Sequence, residues 1–430
     1  MRPLFLQNKI CFFLTLAVIA TTVLSVFNLN SYCIILLLLC RLWVGGPLTA
    51  IRTAFTNKYF LAYFALFMVD AVGLLYTHNR TTGGHIVERD ATLLAIPFII
   101  CAGPFTDEGG YRKLMTAYCL ILALASLYCL GIAVQHYIQV KEIYVFFYHT
   151  FSHAIRENAI YFSVFMIFGL LYLLSPRWDI DSKRLSPKVK SGLRIGMILF
   201  FTGIIILLAS KLLLVVLFLI FVHFAFQRYS IRKNKKFILA LIVTGLLLIA
   251  GVVFTDNPIK YRYLDIVNGD ISVIRKEKFS RATYFNGVQL RLIEWHFALE
   301  ILNENHAWIQ GVSPGDSQDL LNKKYIAAEM YTGDPKEKKL GFLTYNFHNQ
   351  YIEDLVRSGL IGLGVLLTVC GLLIGLARKC GSREAFFTVA ILLVLFLTES
   401  FITLQHGVFL FSFFPLLLIY SPKWGRPGVE

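Results

Sequence analysis

Apolar runs long enough to cross a lipid bilayer recur along the whole chain, and they restrict its fold more than any other feature. They lie at 10–27, 32–45, 59–77, 91–104, 114–134, 159–175, 194–209, 212–227, 236–254, 357–377, 384–402 and 406–420, and a straight span needs ~20 such residues. In hydrocarbon every backbone polar group must be satisfied within its own segment, which leaves the helix as the conformation for isolated runs of this kind. Hydrophobic residues make up 57% of the chain and charged residues 16%, whereas soluble domains carry about a quarter charged residues. The sequence therefore predicts an all-α, polytopic integral membrane protein with about twelve transmembrane helices. The runs at 32–45 and 91–104 are short, so tilting, a break or extension by flanking residues is expected there.

A net charge of +15 invites a nucleic-acid partner, but the placement of the basic residues argues against one. They gather in alternate short loops: Arg41, Arg52 and Lys58; Arg112 and Lys113; Arg177, Lys183, Arg184, Lys188, Lys190 and Arg194; Arg228, Arg232, Lys233, Lys235 and Lys236; Arg378, Lys379 and Arg383. The opposite loops hold Arg80, Arg89, Lys141, Arg156 and Lys211. This is the positive-inside bias, and it predicts both termini in the cytoplasm and the segment 255–348 outside. The expected organisation is helices one to nine over 1–254, an outer loop over 255–348, and helices ten to twelve over 349–430. The run from Ile10 to Phe27 has no small-residue cleavage site and reads as a retained span. All eight cysteines lie in or beside apolar runs, so neither a disulfide framework nor zinc spacing is expected.

The outer segment differs in kind from the rest. Leu290, Ile293, Phe297 and Ile301 recur at helical spacing and predict an amphipathic helix over 286–304. The turn Gly311-Val312-Ser313-Pro314-Gly315-Asp316 ends it, and a second helix is expected over 317–330, followed by a charged loop through Lys336, Lys338 and Lys339.

The stretch Phe347-His348-Asn349-Gln350-Tyr351 through Gly359-Leu360-Ile361-Gly362 joins this segment to a span. Here the sequence resembles the O-antigen ligase and polymerase family of bacterial envelope glycosyltransferases, whose signature is an HN-containing segment leading into a GLIG-like helix start. Further matches are Arg291 with Trp295, Gly311 with Gly315, Ser210-Lys211, and Glu399 with Gln405 and Gly407. Together they touch the chain from about residue 150 onward, the earlier part matching in hydropathy alone. The resemblance implies a GT-C-like fold in the bacterial inner membrane with a periplasmic loop. It also implies a glycan donor carried on undecaprenyl diphosphate, an acceptor hydroxyl and no cofactor. In the ligase branch the acceptor is the lipid A core. In the alternatives it is a second lipid-linked repeat, for a polymerase, or a protein hydroxyl, for an oligosaccharyltransferase.

The residue chemistry agrees with that implication. Negative charge develops on a departing diphosphate and calls for fixed positive donors. Arg291 offers a bidentate fork and Lys211 a point charge, where the family usually has arginine. His348 is the titratable group best placed to assist the acceptor hydroxyl, and a position at a helix start would keep its ring neutral. His153, Arg156 and Asn158, with Asn349 and Tyr351, are candidates to line the site, and Glu399 is expected to orient an Arg or Lys. Asp179-Ile180-Asp181 mimics a metal-binding triplet but falls in a basic cytoplasmic loop, and no outer cluster has ligand spacing, so metal-independent transfer is expected; no nucleophile is obvious, so a single displacement with inversion is the simplest course. A transporter or flippase for an anionic lipid or solute is the rival from another class. It calls for polar residues at mid-membrane depth, and the spans look nearly free of them.

Overall fold

The computed structural model describes residues 4–179, 185–228, 260–261, 264–265, 270–334 and 341–420. The expected span at 236–254, Asp181, Lys235 and the charged loop through Lys338 lie outside the described residues. Among those described, the regular structure is helical and contains no strand. The helices run α1 (Lys9–Val23), α2 (Phe27–Gly45), α3 (Pro47–Phe55), α4 (Lys58–Gly73), α5 (Arg80–Cys101), α6 (Glu108–Val140), α7 (Tyr148–Ser152) and α8 (Ala159–Leu174). They continue as α9 (Pro187–Leu208), α10 (Lys211–Arg228), α11 (Gly287–Glu304), α12 (Ser317–Ala327), α13 (Gln350–Cys380), α14 (Arg383–Leu395) and α15 (Gln405–Tyr420).

Each expected apolar run outside 236–254 falls on one of these helices. Four of them, α2, α6, α9 and α13, are long and apolar enough to cross a bilayer alone. The pair Tyr148–Ile155 and Ala159–Leu174, bent by 79°, makes a fifth if counted as one span. Lys9–Val23, Lys211–Phe226 and Gln405–Leu418 are apolar but shorter. Helix length and composition thus support four to five crossings and a membrane protein, while the count of about twelve rests on the apolar runs and the charge alternation. Several boundaries depart from expectation: α2 begins at Phe27, α9 at Pro187 and α13 at Gln350, each ahead of its apolar run. α5 begins at Arg80, which lengthens the short run at 91–104, and α14 ends at Leu395 although the apolar run continues to 402.

The chain divides into two compact units, Met1–Val18, Val26–Gly110 and Gly269–Glu430 forming one, Ile19–Ser25 and Tyr111–Asn268 the other. In the first unit α5 packs on α2, α4 and α15, and α13 packs on α4 and α14. Buried Tyr63 ties α4 to α15 by donating to the Phe411 carbonyl at 2.7 Å. Cys11 and Cys40 form a disulfide between α1 and α2, contrary to the expectation of none. Neither spacing nor a polar setting marked them, and only the folding of one helix beside the other brings them together.

The expected loop helices form a subdomain within this unit. A capping box, in which Asn286 and Gln289 satisfy each other's backbone N–H groups, starts α11. Its stripe of Leu290, Ile293, Phe297 and Ile301 is buried against Leu321 and Tyr325 of α12. The turn after α11 is pinned by Asp316, whose carboxylate accepts from the backbone N–H groups of His78 and Asn79 and from the Ser313 hydroxyl. Burial opposes ionisation of Asp316, but these donors outweigh it and hold the carboxyl below its ordinary value.

Helix α13 is broken at Gly359, where φ is 66° and ψ is −163°. The backbone released there bonds sideways to the turn after α11: Val312 N to Val356 O, Ser313 N to Arg357 O, Leu360 N to Trp308 O and Ile361 N to Ile309 O. The approach is close enough that a Cβ on Gly359 would stand 2.2 Å from the Ile309 carbonyl oxygen. Gly311 is constrained from the opposite side, since its Cβ would meet the Arg357 carbonyl at 2.4 Å. The first two turns of α13 thus belong to the loop subdomain and the remainder forms the apolar span. Gly359→Ala is expected to destabilise the protein by at least about 1–3 kcal/mol from backbone strain alone. The check is the thermal midpoint of purified protein in detergent, and an unchanged midpoint would contradict the break.

Candidate functional site

The chemistry collects where α11 meets the turn Tyr345–Asn349 and the turn after α14. His348 sits one residue before the N-cap of α13 in a left-handed conformation, φ 46°. Such a backbone is costly for a residue with a side chain and persists only where surrounding bonds impose it. Here the His348 N–H donates to Asn346 Oδ1 at 3.0 Å, and the ring meets Tyr345 edge-on. Imidazole Nδ1 lies 2.9 Å from Glu294 Oε2 and 3.0 Å from the Asn346 carbonyl. Both neighbours are acceptors, so Nδ1 carries a proton, and in the neutral ring the lone pair resides on Nε2. Nε2 has no protein hydrogen-bond partner among the described residues, and the side chain is 23% exposed.

Glu294 is fully buried, and the Tyr325 hydroxyl donates to its Oε1 at 3.0 Å. Burial pushes this carboxyl up, against the hydrogen bonds of His348 and Tyr325 and the nearby positive charge. For His348 burial favours the neutral ring, but the hydrogen bond and charge of Glu294 outweigh it and raise the imidazole above its ordinary value; Glu399 adds to this and Arg291 opposes it. The expected depression by a helix start is therefore corrected. A carboxylate at 2.9 Å acts more strongly than the roughly half charge of a helix end.

Arg291, one helical turn before Glu294, is not the open fork that was expected. Its Nε donates to the Thr398 carbonyl at 2.9 Å, Nη1 to the Gly287 carbonyl at 2.7 Å and Nη2 to Glu399 Oε1 at 2.7 Å. Three of the five N–H groups of the guanidinium are so used, which leaves one on each terminal nitrogen. Glu399 orients this arginine from the non-helical turn where α14 stops short. Trp295 donates from Nε1 to the Phe347 carbonyl at 3.0 Å, fixing the His348 turn from the same helix.

The other candidates have bonds that serve the frame. Asn349 caps α13, accepting from Tyr351 N and Ile352 N, and donates to the Leu397 carbonyl. The Tyr351 hydroxyl donates to the Leu393 carbonyl at 3.2 Å. Gln405 donates to Thr92 Oγ1 at 2.9 Å. His153, Arg156, Asn158 and Lys211 belong to the second unit. There Asn158 caps α8 by accepting from Ile160 N at 2.8 Å, while His153 and Arg156 are exposed. Lys211 opens α10 after a left-handed Ala209 and is half-buried. Asp179 pairs with Lys190 at 3.1 Å. Among the described residues no three His, Cys, Asp or Glu side chains are grouped to hold a metal ion.

A second polar group overturns the expectation that the spans are nearly free of charge. Buried Arg357 lies 3.3 Å from Glu353, 3.6 Å from Asp70 of α4 and 3.8 Å from Asp90 of α5. Arg89 grips Asp90 and donates to the Thr403 carbonyl. From Glu353 the bonds run through the Ser400 hydroxyl to the backbone N–H of Asn349, beside His348. Asp70 stands alone in an apolar run, and Arg357 and Asp90 are at run ends, so no local pattern joined them.

An all-helical membrane protein whose loop subdomain presents a carboxylate-backed histidine beside a carboxylate-held arginine is the class these features define. Residues 195–367 are similar to the family model described as O-Antigen ligase. No curated protein matches the chain. The matched stretch contains Lys211, Arg291, Glu294, His348 and Arg357, and lies outside Glu399, Asp70 and Asp90.

Proposed function

We propose that this protein transfers a glycan from undecaprenyl diphosphate to an acceptor hydroxyl at the periplasmic face of the bacterial inner membrane, with lipid A core as the acceptor. The observation that carries this reading is the open Nε2 of His348 in a family-matched loop subdomain, next to a guanidinium that retains donors for an anion. In the proposed step the acceptor oxygen bonds to the anomeric carbon as that carbon's bond to the diphosphate oxygen breaks. The hydroxyl proton passes to Nε2, and the electron pair leaves with the diphosphate. A single displacement inverts the anomeric centre, and the residues named require no metal. Arg291 binds the leaving group through its two remaining N–H groups.

The test incubates purified protein and lipid-linked glycan, with EDTA present, against rough lipopolysaccharide, a second donor molecule or a protein acceptor. Product with rough lipopolysaccharide is expected. Product only in another mixture would assign the polymerase or oligosaccharyltransferase reaction, and consumption in none would refute transfer. Arg291→Ala is expected to weaken donor binding and turnover together, and Arg291→Lys to restore them in part, because one ammonium cannot satisfy Thr398, Gly287 and Glu399 while also holding an anion. Full activity of the lysine variant in binding and rate assays would refute that role. The proposed orientation rests on the charge alternation. It predicts that an impermeant thiol reagent applied to spheroplasts labels a cysteine placed at Asn303 and not one at Lys188, and the reverse pattern would invert the topology.

A further inference from the structure

A carboxylate within the apolar stripe of α11 calls for explanation. Glu294 occupies the same face as Leu290, Phe297 and Ile301 and has no exposed surface. Burying a carboxylate costs several kcal/mol unless it is paired and hydrogen-bonded. A pin for the 345–348 turn needs only a neutral donor and acceptor. What stands here is an ionisable acid bonded to the inner nitrogen of an imidazole whose outer nitrogen is open. The second carboxylate oxygen is held by Tyr325, which is itself buried on α12, so the acid cannot rotate away.

We propose that Glu294 is a positioning residue for His348: it fixes the Nδ1–H tautomer, aims Nε2 outward and stabilises the imidazolium formed when Nε2 accepts the acceptor's proton. This rests on the reading of His348 as the base. Tyr325 holds Glu294 in place from behind. The charged and titratable groups around the imidazole are Glu294 and Arg291 on α11, Tyr325 on α12, Tyr345 in its own turn and Glu399 after α14. Only Glu294 contacts a ring nitrogen among them. Removing its charge therefore lowers the imidazole's affinity for a proton, with Glu399 unable to replace the lost hydrogen bond. Because Nε2 must be unprotonated to act, activity rises as pH passes through the His348 pKa, and loss of Glu294 moves that rise to lower pH while reducing the plateau.

The experiment compares wild type, Glu294→Gln, Glu294→Asp and His348→Ala in pH profiles of kcat and KM, together with donor binding. The glutamine variant is expected to lose about 10-fold or more in kcat, with donor binding retained and the acidic limb displaced to lower pH. The aspartate variant is expected to recover part of both. A glutamine variant with unchanged kcat and limb, beside an inactive His348→Ala, would overturn the role of Glu294 and leave His348 standing. A fully active His348→Ala would remove the base itself. Nitrogen NMR of wild-type protein labelled at histidine, with His348 assigned by difference, tests the geometry without relying on a variant's folding. The Nδ1–H tautomer is expected when the ring is neutral, and an Nε2–H tautomer would overturn the proposal.

Discussion

His348→Ala is expected to lose roughly 10²-fold or more in transfer rate while donor binding stays near normal, since general-base assistance is typically worth 10² to 10⁴. The imidazole Nε2 faces away from its protein partners, so its removal takes away a proton acceptor and leaves Arg291 with its three bonds intact. Alanine also strips Glu294 of a partner in a buried setting, and that loss acts on stability. His348→Gln separates the two effects, because an amide can still donate to Glu294 but cannot serve as a base near neutral pH. Both variants should therefore be slow, with the glutamine protein closer to wild type in thermal midpoint. Transfer and donor binding measured on monodisperse protein decide the matter, and wild-type turnover in either variant would exclude His348 from the chemistry.

Arg357→Ala is expected to produce the largest loss of stability, on the order of 3–5 kcal/mol, the usual cost of removing one member of a buried ionic group. Arg357 is 4% exposed, and Asp70, Asp90 and Glu353 converge on it from α4, α5 and its own helix. Without it Asp90 retains Arg89, but Asp70 and Glu353 are left in an apolar interior without their cation. Arg357→Lys keeps the charge and should recover part of the loss, since one ammonium cannot span three carboxylates in this arrangement. The effect should reach the site as well, because Glu353 holds Ser400 and Ser400 accepts from Asn349. The thermal midpoint in detergent and the transfer rate of the surviving folded fraction are the measurements. An Arg357→Ala protein as stable as wild type would mean that these contacts contribute no net stabilisation.

The loop helices were legible because their causes are local. The buried stripe of α11, its Asn286 cap and the Gly-Pro turn after it all act over a few residues. The same locality explains why α14 reads longer in the sequence than it is in the fold. Hydropathy continues through Phe396 and Leu397 to Ile402, yet the backbone turns after Leu395 because Thr398 and Glu399 bond to Arg291 and Ser400 to Glu353. Glu294 leaves a readable trace, an acid within an apolar stripe, but its partner His348 lies 54 positions away. The structure gives Arg291 to Glu399, and Glu294 to His348.

The amino-acid order by itself determined that this chain is helical and made for a membrane, that a polar segment with its own amphipathic helix precedes the last apolar runs, and which histidine and arginine stand out in it. Those properties follow from transfer of side chains out of water and from periodicity, and both are sums over neighbours in sequence. Tertiary structure alone decided which charge meets which: Glu399 reaches Arg291 across 108 positions, Asp70 reaches Arg357 across 287, and Cys11 meets Cys40. An ion pair or a disulfide depends on separations of a few ångströms between side chains, which are set by how helices pack and where one of them breaks, as at Gly359.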